Sequence, residues 1–224
     1  MSQKLEKQLA AKEAIKYVKN GMTIGLGTGS TAYYMLKELE QLVLNGLEII
    51  GVPSSENTKK LAIEMGIPLT TLDKIDRMDI YIDGTDEFDP YMQLIKGGGG
   101  ALLREKVLAH NSNLVIIIAD STKEVRRLGE FKLPIETIPF ATANIGRLLN
   151  KMNLHPIVRL KDGKNYITDE GNYILDLNIL NVSNLSVLEG ELKQIPGIVE
   201  TGLFLDMAHK IIVGKGDKTV TLSR

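Results

Sequence analysis

The alternation of short apolar runs with helical patterns over roughly the first 130 residues predicts an α/β fold, a Rossmann-like and mostly parallel sheet joined by helices. Two further observations complete the expectation. The run Asn113 to Ala119 is nearly all apolar, as befits a strand covered on both faces. Beyond it the pattern changes to strand, helix, strands, helix, strand, which suggests a smaller, ferredoxin-like α+β lobe. The expected division places residues 1–130 and 207–224 in a Rossmann-like catalytic domain, with 131–206 as an inserted small domain.

The first twenty residues read as a charged amphipathic helix with Leu5, Leu9, Ala14, Ile15 and Val18 on one face. They contain no continuous apolar stretch of the kind a secretory signal requires. Strands are expected at Met22 to Leu26, Leu47 to Val52, Met78 to Ile82 and Asn113 to Ala119. Helices are expected near Ser30 to Leu44, Ser55 to Met65 with Gly66 as the stop, and Ala101 to Ala109. In the second lobe the expected order is a strand Leu133 to Ile138, a helix Phe140 to Met152, and β-runs at Ile157 to Leu160, Asn165 to Thr168 and Tyr173 to Leu177. A helix Val187 to Gln194 and a strand Ile198 to Leu205 follow. His209 to Val213 and Thr219 to Leu222 then return to the first sheet.

Composition narrows the function. The formal net charge is −1 with dispersed basic residues, so there is no electrostatic footprint for nucleic acid or an anionic membrane surface. No apolar run reaches the roughly 18 residues that a membrane span needs. Cysteine is absent, which excludes disulfides, thiolate nucleophiles and cysteine metal sites, and agrees with a reducing, cytoplasmic setting. A small molecule is the natural partner.

Three segments carry the chemistry, each placed at the C-terminal end of an expected strand, where open α/β sheets bind ligands. Gly25-Leu-Gly-Thr-Gly-Ser-Thr31 offers backbone N–H groups and hydroxyls without side-chain bulk, which suits a phosphate at a strand-to-helix turn. Its spacing is not G-x-G-x-x-G, and the second strand ends in Val52-Pro53-Ser54-Ser55 with no acid for a ribose hydroxyl, so a dinucleotide is disfavoured. The lysine of a nucleotide P-loop is also missing, leaving a phosphate monoester. The plainer alternative is a tight turn with Ser30 or Thr31 capping the helix.

Asp83-Gly-Thr-Asp-Glu87 delivers acids to the sheet rim. With Asp89 they invite a metal, but the spacing does not match a calcium loop, and His110, His155 and His209 are scattered. A solvated acidic turn is the competing reading. Lys96-Gly-Gly-Gly-Gly-Ala-Leu-Leu-Arg-Glu-Lys106 is the most specific segment. Four consecutive glycines cost conformational entropy and imply close backbone approach to something. At about 100° per residue Glu105 falls within an apolar arc of Ala101, Leu102, Leu108 and Ala109. Desolvation there favours the neutral acid and raises its pKa from about 4.3, as for catalytic glutamates tuned to roughly 6 to 7. The alternative is an ion pair with Arg104, Lys106 or another partner.

Gly-Thr-Gly-Ser-Thr at 27 to 31, Asp-Gly-Thr-Asp-Glu at 83 to 87, Lys-Gly-Gly-Gly-Gly-Ala at 96 to 101 with Arg-Glu-Lys at 104 to 106, and Ala-Asp-Ser-Thr-Lys at 119 to 123 closely resemble ribose-5-phosphate isomerase, type A. The likeness continues through Phe131-Lys-Leu-Pro134, Ile167-Thr168-Asp169, Ile195-Pro-Gly197 and Gly202-Leu-Phe204. The resemblance implies interconversion of ribose 5-phosphate and ribulose 5-phosphate in the non-oxidative pentose phosphate pathway, without a cofactor or metal, by a homo-oligomer with a dimer favoured. It implies substrate binding by Thr28, Gly29, Ser30, Thr31, Asp83, Gly84, Thr85, Asp86, Lys96, Gly97, Gly98, Gly99 and Lys123. Glu105 matches the proton acceptor, with Asp83, Asp86 and Lys96 assisting. Thr85 departs from the alanine usual in the family. Two other classes stay in view: a sugar-phosphate sensor that needs the cradle but no base, and a nicotinamide-dependent dehydrogenase that the loop spacing disfavours.

Overall fold

A computed structural model describes residues 2–224. The chain begins with α1 (Gln3–Ile15), β1 (Thr23–Leu26), α2 (Ser30–Leu44), β2 (Ile50–Pro53), α3 (Glu56–Glu64) and β3 (Met78–Asp83). Next come β4 (Glu87–Phe88), β5 (Leu94–Ile95), α4 (Leu102–His110), β6 (Ser112–Asp120), β7 (Leu133–Thr137), α5 (Thr142–Lys151), β8 (Ile157–Val158), β9 (Leu160–Lys161) and β10 (Lys164–Asn165). The chain closes with β11 (Tyr173–Leu177), α6 (Leu185–Lys193), β12 (Ile198–Thr201), β13 (Leu203–Phe204), β14 (Lys210–Lys215) and β15 (Lys218–Ser223).

One compact unit comprises the chain through Thr85, Arg104–Glu124 and Asp206–Arg224. Its sheet runs β15-β14-β6-β3-β1-β2, parallel except for the antiparallel edge strand β15. Numbered by appearance in the chain, the parallel strands lie 2-1-3-4-5, a doubly wound order whose switch point falls between β1 and β3. The expected Rossmann-like sheet is therefore present, with the two motif-bearing strands at the position where such sheets bind ligands. Ile24, Leu26, Ile80, Ile82, Ile116, Ile118 and Ile212 form its buried core with Met35, Leu36 and Leu39 from α2.

Helix α1 keeps part of the expected face, with Ala14 and Ile15 in the core and Val18, just beyond the helix, packed against it, but not its first leucine. Leu5 is exposed, while Ala10, Ala11, Ala14 and Ile15 are buried together with Glu6. The small alanines let the helix lie close to the sheet: a Cβ on Gly214 would come within 2.6 Å of the Glu6 Cα. The Glu6 carboxylate accepts from the Gly216 N–H (2.8 Å), the Ser121 N–H (2.9 Å) and the Ser121 hydroxyl (2.7 Å). These bonds, Gly216 foremost, hold its pKa below the usual carboxylate value. A depressed carboxylate stabilises the fold fully above its unfolded pKa, about 4.3, and loses that contribution as pH falls through the folded value. Glu6→Gln should therefore lower Tm at pH 7, with the gap from the parent closing on acidification below about pH 4. A gap of constant size in melts across that range would refute the assignment.

The other unit comprises Asp86–Leu103 and Val125–Leu205. Its main sheet, β12-β7-β11-β8, is antiparallel, and with α5 and α6 it follows the expected strand, helix, strands, helix, strand order. Leu133, Ile135, Leu175, Leu177, Leu149 and Leu192 fill its core. Residues 86–103, read from sequence as part of the first lobe, group here because β5 pairs with β13 and β4, and Val125 N–H bonds to Phe88 O. The expected single strand 198–205 is split at Gly202 into β12 and β13, which lie in different sheets. A side chain has no room there, since a Cβ would stand 2.9 Å from Pro134 Cδ.

Candidate active site

The residues singled out in the sequence fall into both units, and each set takes its geometry from its own unit. In the first, the glycines of the Gly25 loop do two different things. A Cβ on Gly25 would meet the Tyr81 ring at 2.6 Å, and one on Gly27 would meet the Asp83 Cα at 2.6 Å, so both allow β1 to lie against β3. Gly29 has open space around it but a φ of 103°, which a side chain rarely adopts, and it makes the turn into α2.

Neither Ser30 nor Thr31 is the cap of α2. Gly29 occupies that position with no side-chain capping bond, so the first-turn N–H groups face the loop for an anion to accept. Lys7 Nζ donates to Ser30 Oγ at 2.9 Å and stands 3.8 Å from the buried Asp120 carboxylate. No spacing in the sequence signalled this lysine, which lies on α1. Lys123 follows β6 in a 3₁₀ turn, Ser121–Lys123, capped by Asp120 accepting from the Thr122 N–H at 3.1 Å.

Thr28 is locked on both sides. Its N–H donates to Asp83 Oδ1 at 2.9 Å, and its hydroxyl lies 2.7 Å from Ser54 Oγ and donates to Ser55 Oγ at 2.8 Å. Thr58 joins the cluster and donates to Gly27 O at 3.0 Å. The serines that stand where a dinucleotide fold would carry its ribose-binding acid thus anchor the loop. Ser55 also caps α3.

Asp83, at the end of β3, is fully buried. Besides Thr28, the Gly84 N–H donates to Oδ1 at 2.7 Å and the Tyr81 hydroxyl donates to Oδ2. Burial first, then the charges of Asp83 and Glu105, push the Tyr81 phenol well above its usual value, which keeps it a proton donor to Asp83. Gly84 lies against Thr31, and Thr85 is half-buried. Glu105 sits in the first turn of α4 and is 4% exposed, so the expected burial of this acid holds.

In the second unit, Asp86 Oδ2 accepts from the Gly98 N–H at 2.7 Å, and its own N–H donates to Ile95 O at 2.9 Å. Lys96 is 2% exposed, with Nζ 5.4 Å from the centre of the Phe204 ring, and its N–H donates to Gly202 O at 2.9 Å. The glycine run is crowded by protein: a Cβ on Gly97 would meet Leu102 at 2.9 Å, and one on Gly98 would meet Asp86 Oδ1 at 2.5 Å. The other acids of the second motif have structural duties. Glu87 accepts from the Gly129 N–H at 2.8 Å and from the Phe131 N–H, and Asp89 accepts from the Tyr91 and Gln93 N–H groups, each at 2.9 Å.

Residues 50–218 match the family described as ribose 5-phosphate isomerase A (phosphoriboisomerase A). A ribose-5-phosphate isomerase A from Bacillus mycoides (strain KBAB4) is 48% identical over 209 residues, covering 93% of this chain and 95% of its own. A D-ribose-5-phosphate isomerase solved in complex with phospho-erythronic acid has a TM-score of 0.96 at 40% identity, covering 100% of both chains. The ribose 5-phosphate isomerase of Plasmodium falciparum has a TM-score of 0.95 at 38% identity, covering 100% of this chain and 99% of its own.

Proposed function

The chain belongs to the ribose 5-phosphate isomerase A family, and from that premise we propose that it interconverts D-ribose 5-phosphate and D-ribulose 5-phosphate with Glu105 as the single proton-carrying base. In the aldose-to-ketose direction Glu105 takes the proton from C2, an enediolate forms, and the same proton returns to C1 while the O2 proton passes to O1. A buried carboxylate on one face suffices, and no electron leaves the sugar. Lys96 stabilises the charge that develops on the enediolate oxygen. Asp83 and Asp86 handle the hydroxyl protons of ring opening and of the O2-to-O1 transfer.

The observation that carries this reading is the geometry of the first unit. The uncapped start of α2, with Lys7 Nζ on Ser30, adjoins Thr28, whose N–H is tied to Asp83. An anion cradle and an acid/base group thus share one short stretch of backbone. Thr28 to Thr31, Lys7 and Lys123 hold the phosphate, and that remote binding orients the reacting carbons. Gly84, Thr85 and Gly97 to Gly99 complete the substrate contacts. A cytoplasmic homo-oligomer, most simply a dimer, belongs to the same proposal and is checked by sedimentation.

The test is ribose 5-phosphate turnover by chelator-treated protein in D₂O. Ribulose 5-phosphate that keeps part of the original C2 proton at C1, with solvent deuterium making up the remainder, is the expected product. Binding of the sugar phosphate without turnover would hand the reading to a sensor, which needs the cradle and no base.

A further inference from the structure

Outside the residues so far assigned a role, the second unit contains a cluster aimed at the glycine run. Arg159 lies between β8 and β9, with its N–H on Ile174 O at 2.9 Å. Its guanidinium forks onto Asp176 of β11, Nε to Oδ2 at 2.9 Å and Nη2 to Oδ1. The remaining nitrogen, Nη1, donates to Gly97 O at 2.7 Å and Gly98 O at 3.1 Å. Tyr166, whose N–H bonds to Arg159 O, donates its hydroxyl to Gly99 O at 3.0 Å, and its ring centre lies 6.0 Å from the guanidinium carbon. Three consecutive carbonyls of the run are therefore held by two side chains.

We propose that Arg159, braced by Asp176 and seconded by Tyr166, is a positioning residue that sets which way the peptide groups of the glycine run point. A trans peptide is planar, so fixing a carbonyl fixes the following N–H on the opposite side. The Gly97 carbonyl turned to Arg159 aims the Gly98 N–H at Asp86 Oδ2, 2.7 Å away. The Gly98 carbonyl, held by the same nitrogen, likewise fixes the Gly99 N–H. Glycines populate both hands of backbone conformation, so four in a row have no orientation of their own. Arginine fits this position because its planar fork satisfies a carboxylate from two nitrogens and keeps the third for the carbonyls, which the single nitrogen of a lysine ammonium cannot do in that geometry. The tyrosine seat is equally specific, since a Cβ on Gly100 would stand 2.5 Å from the Tyr166 Cζ.

The kinetic form of this inference rests on the isomerase reading; its structural form does not. Arg159→Lys is expected to lower kcat by about 10- to 100-fold, because an orientation error near 1 Å costs on that order, with KM within about threefold and an unchanged circular dichroism spectrum. Tyr166→Phe, which removes one oxygen, should lower kcat by about three- to tenfold through the same loss of orientation. Guanidinium ion at non-denaturing concentration should restore part of the turnover of Arg159→Ala. Amide exchange at Gly98, read by NMR, should quicken in Arg159→Lys. A kcat within twofold of the parent in both Arg159→Lys and Tyr166→Phe, or a rise in KM alone, would overturn the proposal. A parent that does not turn over at all would sink the isomerase reading instead, and the Gly98 exchange rate would then decide the clamp by itself.

Discussion

Replacing Glu105 by glutamine is expected to lower kcat by about 10²- to 10⁴-fold while ribose 5-phosphate still binds. Glutamine has the shape of glutamate and keeps a carbonyl acceptor, but it cannot take the C2 proton. At about 1.4 kcal/mol per factor of ten, the loss amounts to roughly 3 to 6 kcal/mol of transition-state stabilisation. That magnitude separates the base from its rival: a surface ion pair with Arg104 or Lys106 would contribute about 0 to 1 kcal/mol to stability and nothing to the rate. The 4% exposure of Glu105 already argues against a surface pair, and Arg104 is engaged elsewhere, donating to Glu56 at 2.9 Å. Affinity should survive because the proposed phosphate ligands, Lys7, Ser30 and Lys123, lie on other elements. Turnover assays give kcat and calorimetry gives the binding constant. A mutant within tenfold of the parent in kcat would transfer the proton to another group, and a mutant that loses binding in step with turnover would make Glu105 a ligand.

What could be read from the sequence was local. β6 announced itself by an unbroken apolar run, and α2 by its spacing and the glycine before it. Asp83 was placed at a strand end because Met78 to Ile82 could be seen. Contacts between distant residues left no such trace. Lys7 reaches Ser30 from 23 residues away, and Gly97 is held by Arg159 from 62 residues away. In α1 only Leu5 misled, because a leucine outweighs an alanine in hydropathy, yet a close helix contact selects small residues such as Ala10 and Ala11 beside the correctly expected Ala14 and Ile15. The four glycines signalled close approach correctly, and two of the neighbours, Asp86 and Leu102, are close in the chain, but the third, Tyr166, comes from far along it and left no local trace. The pairing of β5 with β13 also moved residues 86–103 out of the unit expected for them, since a two-residue strand has no periodicity to read.

Gly27→Ala should be the most damaging single methyl group that can be added to the first unit's site. Its Cβ would stand 2.6 Å from the Asp83 Cα and closer still to the Asp83 carboxylate, and backbone cannot step aside as a flexible side chain can. The strands β1 and β3 must part at the switch point of the sheet. Overpacking of this kind costs about 1 to 3 kcal/mol, occasionally more, which for a chain of this length lowers Tm by roughly 2 to 12 °C. Activity should fall further than stability, by about 10²-fold, because the same displacement breaks the Thr28 N–H bond to Asp83 and tilts the loop that leads into α2. Two other glycines supply the comparison. At Gly29 nothing crowds a Cβ, so Gly29→Ala acts through its backbone conformation alone, φ 103° and ψ −178°, at about 1 to 3 kcal/mol. At Gly146, within α5 and with open space around it, alanine should stabilise by about 0.4 to 1 kcal/mol. Thermal melts and kcat/KM on the three variants test the order. If Gly27→Ala melts and turns over like Gly146→Ala, then β1 and β3 do not make the close approach on which the geometry of Asp83 depends.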